Sequence, residues 1–376
     1  MIKGQSAALA AAIAALCVGG TAAARDTFTP QDLAAGYTTL RDVDQSLSSQ
    51  VDLLSGYARK YTNQLRAYAT LTSPGNESVP CASGGSVSIH ATGDLLQTLT
   101  ARYSDCATDE SGLQTVANGT VQLVQLHLSG STNPKFVSLS FGTQQQAFVE
   151  LIQFNPPHEP VLPPTQESLH YLVAGDVLES TDGVVNPGTF NYVVDGTFSD
   201  ESTVLIGAPG NPTMLSTNVI DAHALWLSGY LRTATDTDPV ERTALQANLG
   251  SITANHFEQQ DQTSRFTSRQ LSFNGLQIVR SNDQAFGNIS LGYTGGFSVS
   301  STNVPCQNGS YRVATPNLLT AQSVDAPFDS GTVQINRGTI QFSSSPDSGP
   351  GFATLRVPGY PIAQTDDLAS FGNCVP

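Results

Sequence analysis

Residues 81–92, CASGGSVSIHAT, mark the point at which the chain changes its period. Upstream of Cys81 the apolar residues recur every three or four positions, whereas from Val87 and Ile89 onward they recur every second one. A period of two puts alternate side chains on opposite faces of a strand, one buried and one wet. The same alternation returns at Leu99, Ala101 and Tyr103, at Val137, Leu139 and Phe141, and at Phe190, Tyr192 and Val194. It continues through Ile289, Leu291 and Tyr293, then Val333 and Ile335, then Leu355 and Val357. Asn118-Gly119, Asp182-Gly183, Asp195-Gly196, Asn274-Gly275 and Asn308-Gly309 favour positive φ, and are read as tight hairpins between such strands. The predicted fold is mainly β: antiparallel sheets in two or three packed units, with one long N-terminal amphipathic helix.

That helix is read from Thr29 to about Leu71. Thr29 can cap it, Pro30 suits its first turn, and Asp32 favours the positive end of its dipole. A seven-residue repeat follows, Leu33, Leu40, Leu47, Leu54, Tyr61 and Tyr68, interleaved with Tyr37, Asp44, Val51, Ala58 and Leu65. These positions form one stripe. It either packs on the protein's own sheet or pairs with copies of itself, a self-association through residues 33–68. Gly36, Gly56 and Asp44 weaken the helix, and a break near Gly56 is expected.

The first 24 residues, MIKGQSAALAAAIAALCVGGTAAA, have the single cation Lys3, a small apolar run and a final Ala-Ala-Ala. That is the pattern of a secretory signal peptide, predicting export to the periplasm, cell surface or medium. Leu16, directly before Cys17, is too bulky for a lipid-attachment motif. The whole chain has a net charge of −15, which argues against nucleic acid as a partner, and no later run is long enough for a membrane helix.

Removal of the signal leaves Cys81, Cys106, Cys306 and Cys374, which allow three pairings. Pairing within each β-rich stretch, Cys81 with Cys106 and Cys306 with Cys374, closes the shorter loops. No Cys-x-x-Cys spacing suggests a metal, and no cofactor is predicted. Cys81 to Val87 followed by Asn118-Gly119-Thr120-Val121-Gln122 parallels Cys306 to Tyr311 followed by Ser330-Gly331-Thr332-Val333-Gln334. With Tyr103-Ser104-Asp105-Cys106, this pattern resembles a group of uncharacterised exported proteins of Gram-negative bacteria. The resemblance covers residues 79–130 and 265–345 and implies a β-fold outside the cytoplasm, with no activity to carry over.

Five prolines in residues 155–164 and the irregular stretch 233–248 serve as soft boundaries. The organisation is then 1–24 signal, 25–75 helical, and β-rich regions 76–160, 161–250 and 251–376. Within 233–248, Asp238 is read as the cap of a short helix starting at Pro239.

Candidate chemistry is sparse. His158, Glu159, Glu167, His170 and Asp176 are the densest titratable set, but prolines and spacing fit no zinc helix. Asp236, Asp238 and Glu241 loosely resemble a calcium loop without its glycine. Phe297, Tyr311, Phe328, Phe342, Phe352 and Tyr360 either fill a core or line a ligand groove, and Trp226 is read as core. No nucleophile elbow or phosphate loop is present, so no catalytic residue is assigned. The reading is a non-enzymatic envelope or extracellular protein with a binding, adhesive or structural role. Its alternatives are a secreted hydrolase with a spatially assembled site, and a carrier of an apolar ligand.

Overall fold

The computed structural model describes residues 28–372 apart from 69–73, 94–96, 111–112, 128–133, 143–145, 147, 155–164, 182–188, 209–210, 233, 235–237, 261–262, 303–306, 324–325 and 346–348. The signal-like residues 1–24, Cys17, Cys306, Cys374, His158, Glu159 and Asp236 therefore lie outside the described residues.

Helix α1 runs unbroken over Pro30–Tyr68. The strands follow as β1 (Gly75–Pro80), β2 (Ser86–Thr92), β3 (Thr98–Glu110), β4 (Leu113–His127), β5 (Pro134–Phe141), β6 (Phe148–Phe154), β7 (Thr165–Thr181), β8 (Thr189–Ala208) and β9 (Asn211–Arg232). Then come β10 (Val240–Gln260), β11 (Thr263–Asp283), β12 (Asn288–Ser301), β13 (Gly309–Ala321), β14 (Ser330–Ile335), β15 (Gly338–Ser345), β16 (Gly349–Arg356) and β17 (Ala363–Thr365), with a last turn of helix α2 (Leu368–Phe371). All pairings are antiparallel and nearly all join neighbours in sequence. The exception is β5 and β6, which share one lane between β4 and β7. The ladder passes through residue 250 inside β10.

The sheet is built around the helix. Inward residues such as Val87, Ile89, Leu123, Val333 and Leu355 are buried, as are Leu33, Leu40, Leu47, Tyr61 and Leu65 of α1, in one core. The leucine stripe is thus covered by the protein's own sheet and is not free for a coiled coil; the side chains of Leu54 and Tyr68 are outside the described set. Burying each leucine stabilises by about 1.5–3 kcal/mol. At Gly36 the backbones come close: a Cβ there would stand 3.0 Å from the Tyr311 ring. That approach accounts for a glycine early in a helix, while Gly56 is exposed and breaks nothing. The helix starts as the sequence indicates. The Thr29 N–H and hydroxyl both donate to Asp32 Oδ2, at 2.8 and 2.7 Å, and Asp32 N–H donates back to Thr29 Oγ1 at 3.2 Å.

The hairpin reading of the Asn-Gly and Asp-Gly pairs is corrected at three sites. Asn118-Gly119, Asp195-Gly196 and Asn274-Gly275 lie inside β4, β8 and β11, each beside a shift in register. Positive φ serves a bulge as well as a turn. Gly275 has φ 65°, and Gly295 opposite has φ 103°, where a Cβ would lie 2.0 Å from the Gly275 carbonyl. Register shifts at Gly196/Phe198, Ala247/Leu249/Ser251, Asn274/Gln277, Leu291/Thr294 and Ala314/Asn317 adjoin one another strand by strand. Together they form a crease across the long strands. Strands β9, β10 and β11 change parity there: in β11, Leu271 and Phe273 are buried on one side of it, Leu276 and Ile278 on the other. The same slip turns Trp226 outward, 45% exposed beside the exposed Leu249, while Leu227 is fully buried. Trp226 is therefore not a core residue.

Cys81 and Cys106 form a disulfide with 5.4 Å between Cα atoms. The C-terminal aromatics pack inside rather than lining a groove: Phe297 stacks on Tyr311 at 5.1 Å, and Phe328 meets Phe342 at 5.5 Å. Only Tyr360 among them is substantially exposed, while Phe352 is half-buried. No helix among the described residues is long and apolar enough to cross a membrane.

Candidate functional site

Of the polar contacts between α1 and the sheet, three differ in how completely they are satisfied. The first centres on Glu150 of β6, which is fully buried. Its carboxylate accepts from the Tyr61 hydroxyl at 2.8 Å and also from Tyr57 and Lys60. Tyr61 sits among the rings of Tyr103, Phe141 and Phe148, 4.9–5.8 Å between centroids. The second centres on Asp44, which is 3% exposed. It accepts from the Tyr293 hydroxyl at 2.8 Å and from the Arg280 guanidinium, which also donates to Ser48 Oγ at 3.2 Å. Burial, followed by the charge of Asp44, holds the Tyr293 hydroxyl well above its ordinary pKa, so it stays a donor. Both clusters are closed, with their acceptors engaged.

The third contact is open. Asp42, Gln45, Ser46, Ser49 and Gln50 follow one another at helical spacing, forming a polar stripe beside the leucines. They face β9, β10 and β11 across a groove also lined by Ile220, Ile252, Ala254, Arg269 and Leu271. The register explains the lining. Ile220, Ala254, Arg269 and Ser301 form one row across four strands, with Ile252 and Leu271 in the row nearer the core. Asn218, His256 and Thr267 form the next row outward and line a continuation of the same groove. The floor thus grades from apolar to polar as the long strands run outward. The two stretches have cavity volumes of about 380 and 450 Å³ and share Asp42, Ile220, Ala254 and Arg269.

Several polar atoms here lack a hydrogen-bond partner. Arg269 Nε and Gln50 Oε1 are buried without a hydrogen-bond partner, Arg269 Nη2 has only its ion pair with Asp42, and Gln50 as a residue is only 5% exposed. Asp42 Oδ2 approaches Arg269 Nη2 at 3.5 Å, an ion pair too loose to satisfy the guanidinium. Burial pushes the Asp42 carboxyl up, and Arg269 pulls it only partly back. The Ser46 and Ser49 hydroxyls donate to the carbonyls of Asp42 and Gln45, at 2.8 and 3.0 Å, so toward the groove they offer lone pairs. His256 Nδ1 is engaged with Asn218 Oδ1 at 2.7 Å. A buried polar group left unpaired costs about 1–3 kcal/mol, so the fold carries a local cost beside this groove.

None of the described candidate residues singled out in the sequence lines this groove. Glu167, His170 and Asp176 lie along strand β7 rather than on a metal-binding helix. Asp238 caps no helix: it accepts from the Val240 N–H at 3.2 Å and pairs with Arg242 at 2.9 Å and Arg232 at 3.0 Å. Hydrogen bonds from Arg242 and the Val240 backbone hold its carboxyl below the usual range, and two guanidiniums occupy the place a calcium ion would take. Among the described residues, no group of three His, Cys, Asp or Glu side chains is arranged to hold a metal. The signal for the groove was present in the sequence as the stripe 42, 45, 46, 49, 50, but a polar helix face reads as ordinary solvent exposure until its opposite wall is known. No family model, curated protein or solved structure matches this chain.

Proposed function

We propose that this chain is a non-enzymatic exported protein that binds a small polar ligand in the groove between α1 and strands β9 to β11. The observation that carries the reading is the groove itself, whose helix wall presents Asp42, Gln45, Ser46 and Ser49 opposite the long strands, above Arg269 and Gln50 atoms that make no hydrogen bond within the protein. The cavity volumes of about 380 and 450 Å³ lie in the range of small-molecule sites. The polar side chains along its helix wall favour this ligand over an apolar cargo. The groove's one carboxylate, Asp42, already faces Arg269, which favours binding over the paired carboxylates of a hydrolase. The signal-like residues 1–24 and the Cys81–Cys106 bridge support export to the periplasm, cell surface or medium.

Native mass spectrometry of the exported protein tests both halves. The expected result is a polypeptide beginning near Arg25 that carries a noncovalent adduct lost on substitution of Arg269. A retained Met1 would overturn export by signal cleavage. A bare protein whose melting temperature ignores sugars, amino acids and inorganic anions would overturn the groove.

A further inference from the structure

We propose that the outer face of the long strands is a second binding surface, a platform for a neutral polysaccharide. It lies on the far side of the sheet from the groove and does not depend on it. The crease that turns Trp226 outward creates this surface. Trp226 and Tyr230 are four residues apart on β9 with no shift in that strand's pairing between them, so both rings stand on the outer face, about 13 Å apart at 3.3 Å per residue. Leu249 pairs with Trp226 on β10, and the three side chains are between 37% and 58% exposed. The row through Tyr230 continues over Ala244 and Val279 to Gly292. There the exposed Leu318 lies across the bare backbone: a Cβ on Gly292 would stand 2.7 Å from Leu318 Cδ2 and 3.0 Å from Val279 Cγ2. Between the two apolar rows runs a polar one, Ser228, Gln246, Gln277 and Thr294. Its glutamines and Thr294 are exposed, and the Thr294 hydroxyl donates to Gln277 Oε1 at 3.3 Å.

The chemistry of the face selects its occupant. The axial C–H bonds of a pyranose ring form an apolar patch of slight positive charge, which packs on the negative face of an indole or phenol ring. The hydroxyls around its rim both donate and accept, as glutamine amides do. Two rings with an amide row between them therefore match a chain of sugar units. None of the residues in these three rows is charged. Asp195 of β8 stands opposite Trp226 in the register, and with the chain's net charge of −15 it disfavours an anionic polymer or an anionic membrane. A second copy of the chain fits poorly. The four exposed apolar side chains offer roughly 400 Å², taking about 150–250 Å² for each whole one, against about 800 Å² per partner in a stable dimer. The amide row also keeps the middle of the face wet, where a protein interface is driest.

The test is affinity electrophoresis of the full exported chain in gels containing mixed-linkage β-glucan, amylose, galactomannan or the anionic polygalacturonate. Flotation on phosphatidylglycerol vesicles and light scattering form the rival arms. The expected result is that at least one neutral polysaccharide retards the protein. Trp226→Ala and Gln246→Leu should each weaken that binding tenfold or more with no fall in melting temperature, since both side chains are exposed. Trp226→Phe, which keeps a ring, should bind more tightly than Trp226→Leu, which keeps only apolar area. Equal binding by the wild type and Trp226→Leu would overturn ring stacking. Retardation lost in Arg269→Lys but kept in Trp226→Ala would place the glycan in the groove and overturn the platform. Polygalacturonate bound in preference, vesicle flotation that needs Trp226, or a dimer dispersed by Trp226→Ala would each overturn the occupant. No retardation by any neutral polysaccharide brings down the proposal.

Discussion

Asp42 and Asp44 are two residues apart on the same helix, yet they have opposite surroundings. Asp44 is 3% exposed and engaged by Tyr293 and Arg280, while the Asp42 side chain keeps 44% of its exposure beside an Arg269 that it does not satisfy. The difference follows from where the crease falls. Arg280 and Tyr293 lie on one side of it and Arg269 lies on the other. Glu150 repeats the closed arrangement further along the helix. The comparison teaches that a buried polar residue holds this fold together only where its partners converge. Where they do not, as at Asp42, the side chain stays partly exposed beside a cation it does not satisfy.

The comparison breaks first if the helix is dispensable. Excising residues 28–68 uncovers the inward faces of the sheet, and the loss should exceed the roughly 5–15 kcal/mol that holds a typical protein together. Near-ultraviolet circular dichroism and dye binding should report no cooperative transition. A folded, dimeric remainder would revive the coiled-coil reading.

Glu150→Ala and Asp44→Ala should each destabilise by about 1–3 kcal/mol for every buried tyrosine hydroxyl left without an acceptor, as read by urea titration, with little added by the partly exposed cations Lys60 and Arg280. A double-mutant cycle with Tyr61→Phe should show strong coupling to Glu150 and none to Asp44. Cys81→Ser should cost about 2–4 kcal/mol under oxidising conditions, by freeing the unfolded chain. Next in size, and opposite in sign, is Gln50→Leu. Removing an unpaired amide should leave stability unchanged or raise it by up to about 1 kcal/mol. A loss comparable to that of Glu150→Ala would mean that the groove is as closed as the clamps.

The smallest effect is in pH. Asp42 is raised by burial, so the folded state holds its proton more tightly than the unfolded state. Its contribution therefore falls as pH rises from the ordinary carboxylate value through the raised one. Asp238, lowered by Arg242, has the opposite sign: its contribution is present above the ordinary carboxylate value and lost as pH falls through the lowered one. Carboxyl carbon titrations by NMR should place Asp42 above and Asp238 below the ordinary value.

The alternation from Val87 to Val357 and the heptad from Leu33 to Leu65 were legible because burial leaves a periodic mark on the chain. So were the cap at Thr29 and Asp32 and the local bridge of Cys81 with Cys106, both being short-range. The bulges were not. Asn274-Gly275 satisfies the same backbone demand in a hairpin and in a crease, and only the pairing of β11 with β12 distinguishes them. Trp226 was misplaced for the same reason, since one extra residue in β9 reverses every side chain beyond it.

The sequence by itself determined that this is a mainly β protein with a long amphipathic N-terminal helix, because period and capping are local properties of the backbone. Only the tertiary structure decided that the sheet wraps that helix, that Asp44 is closed and Asp42 open, and that Arg269 faces Gln50 across a groove. Those outcomes depend on register between strands and helix far apart in the chain. A one-residue shift, invisible in composition or period, changes which side chains meet.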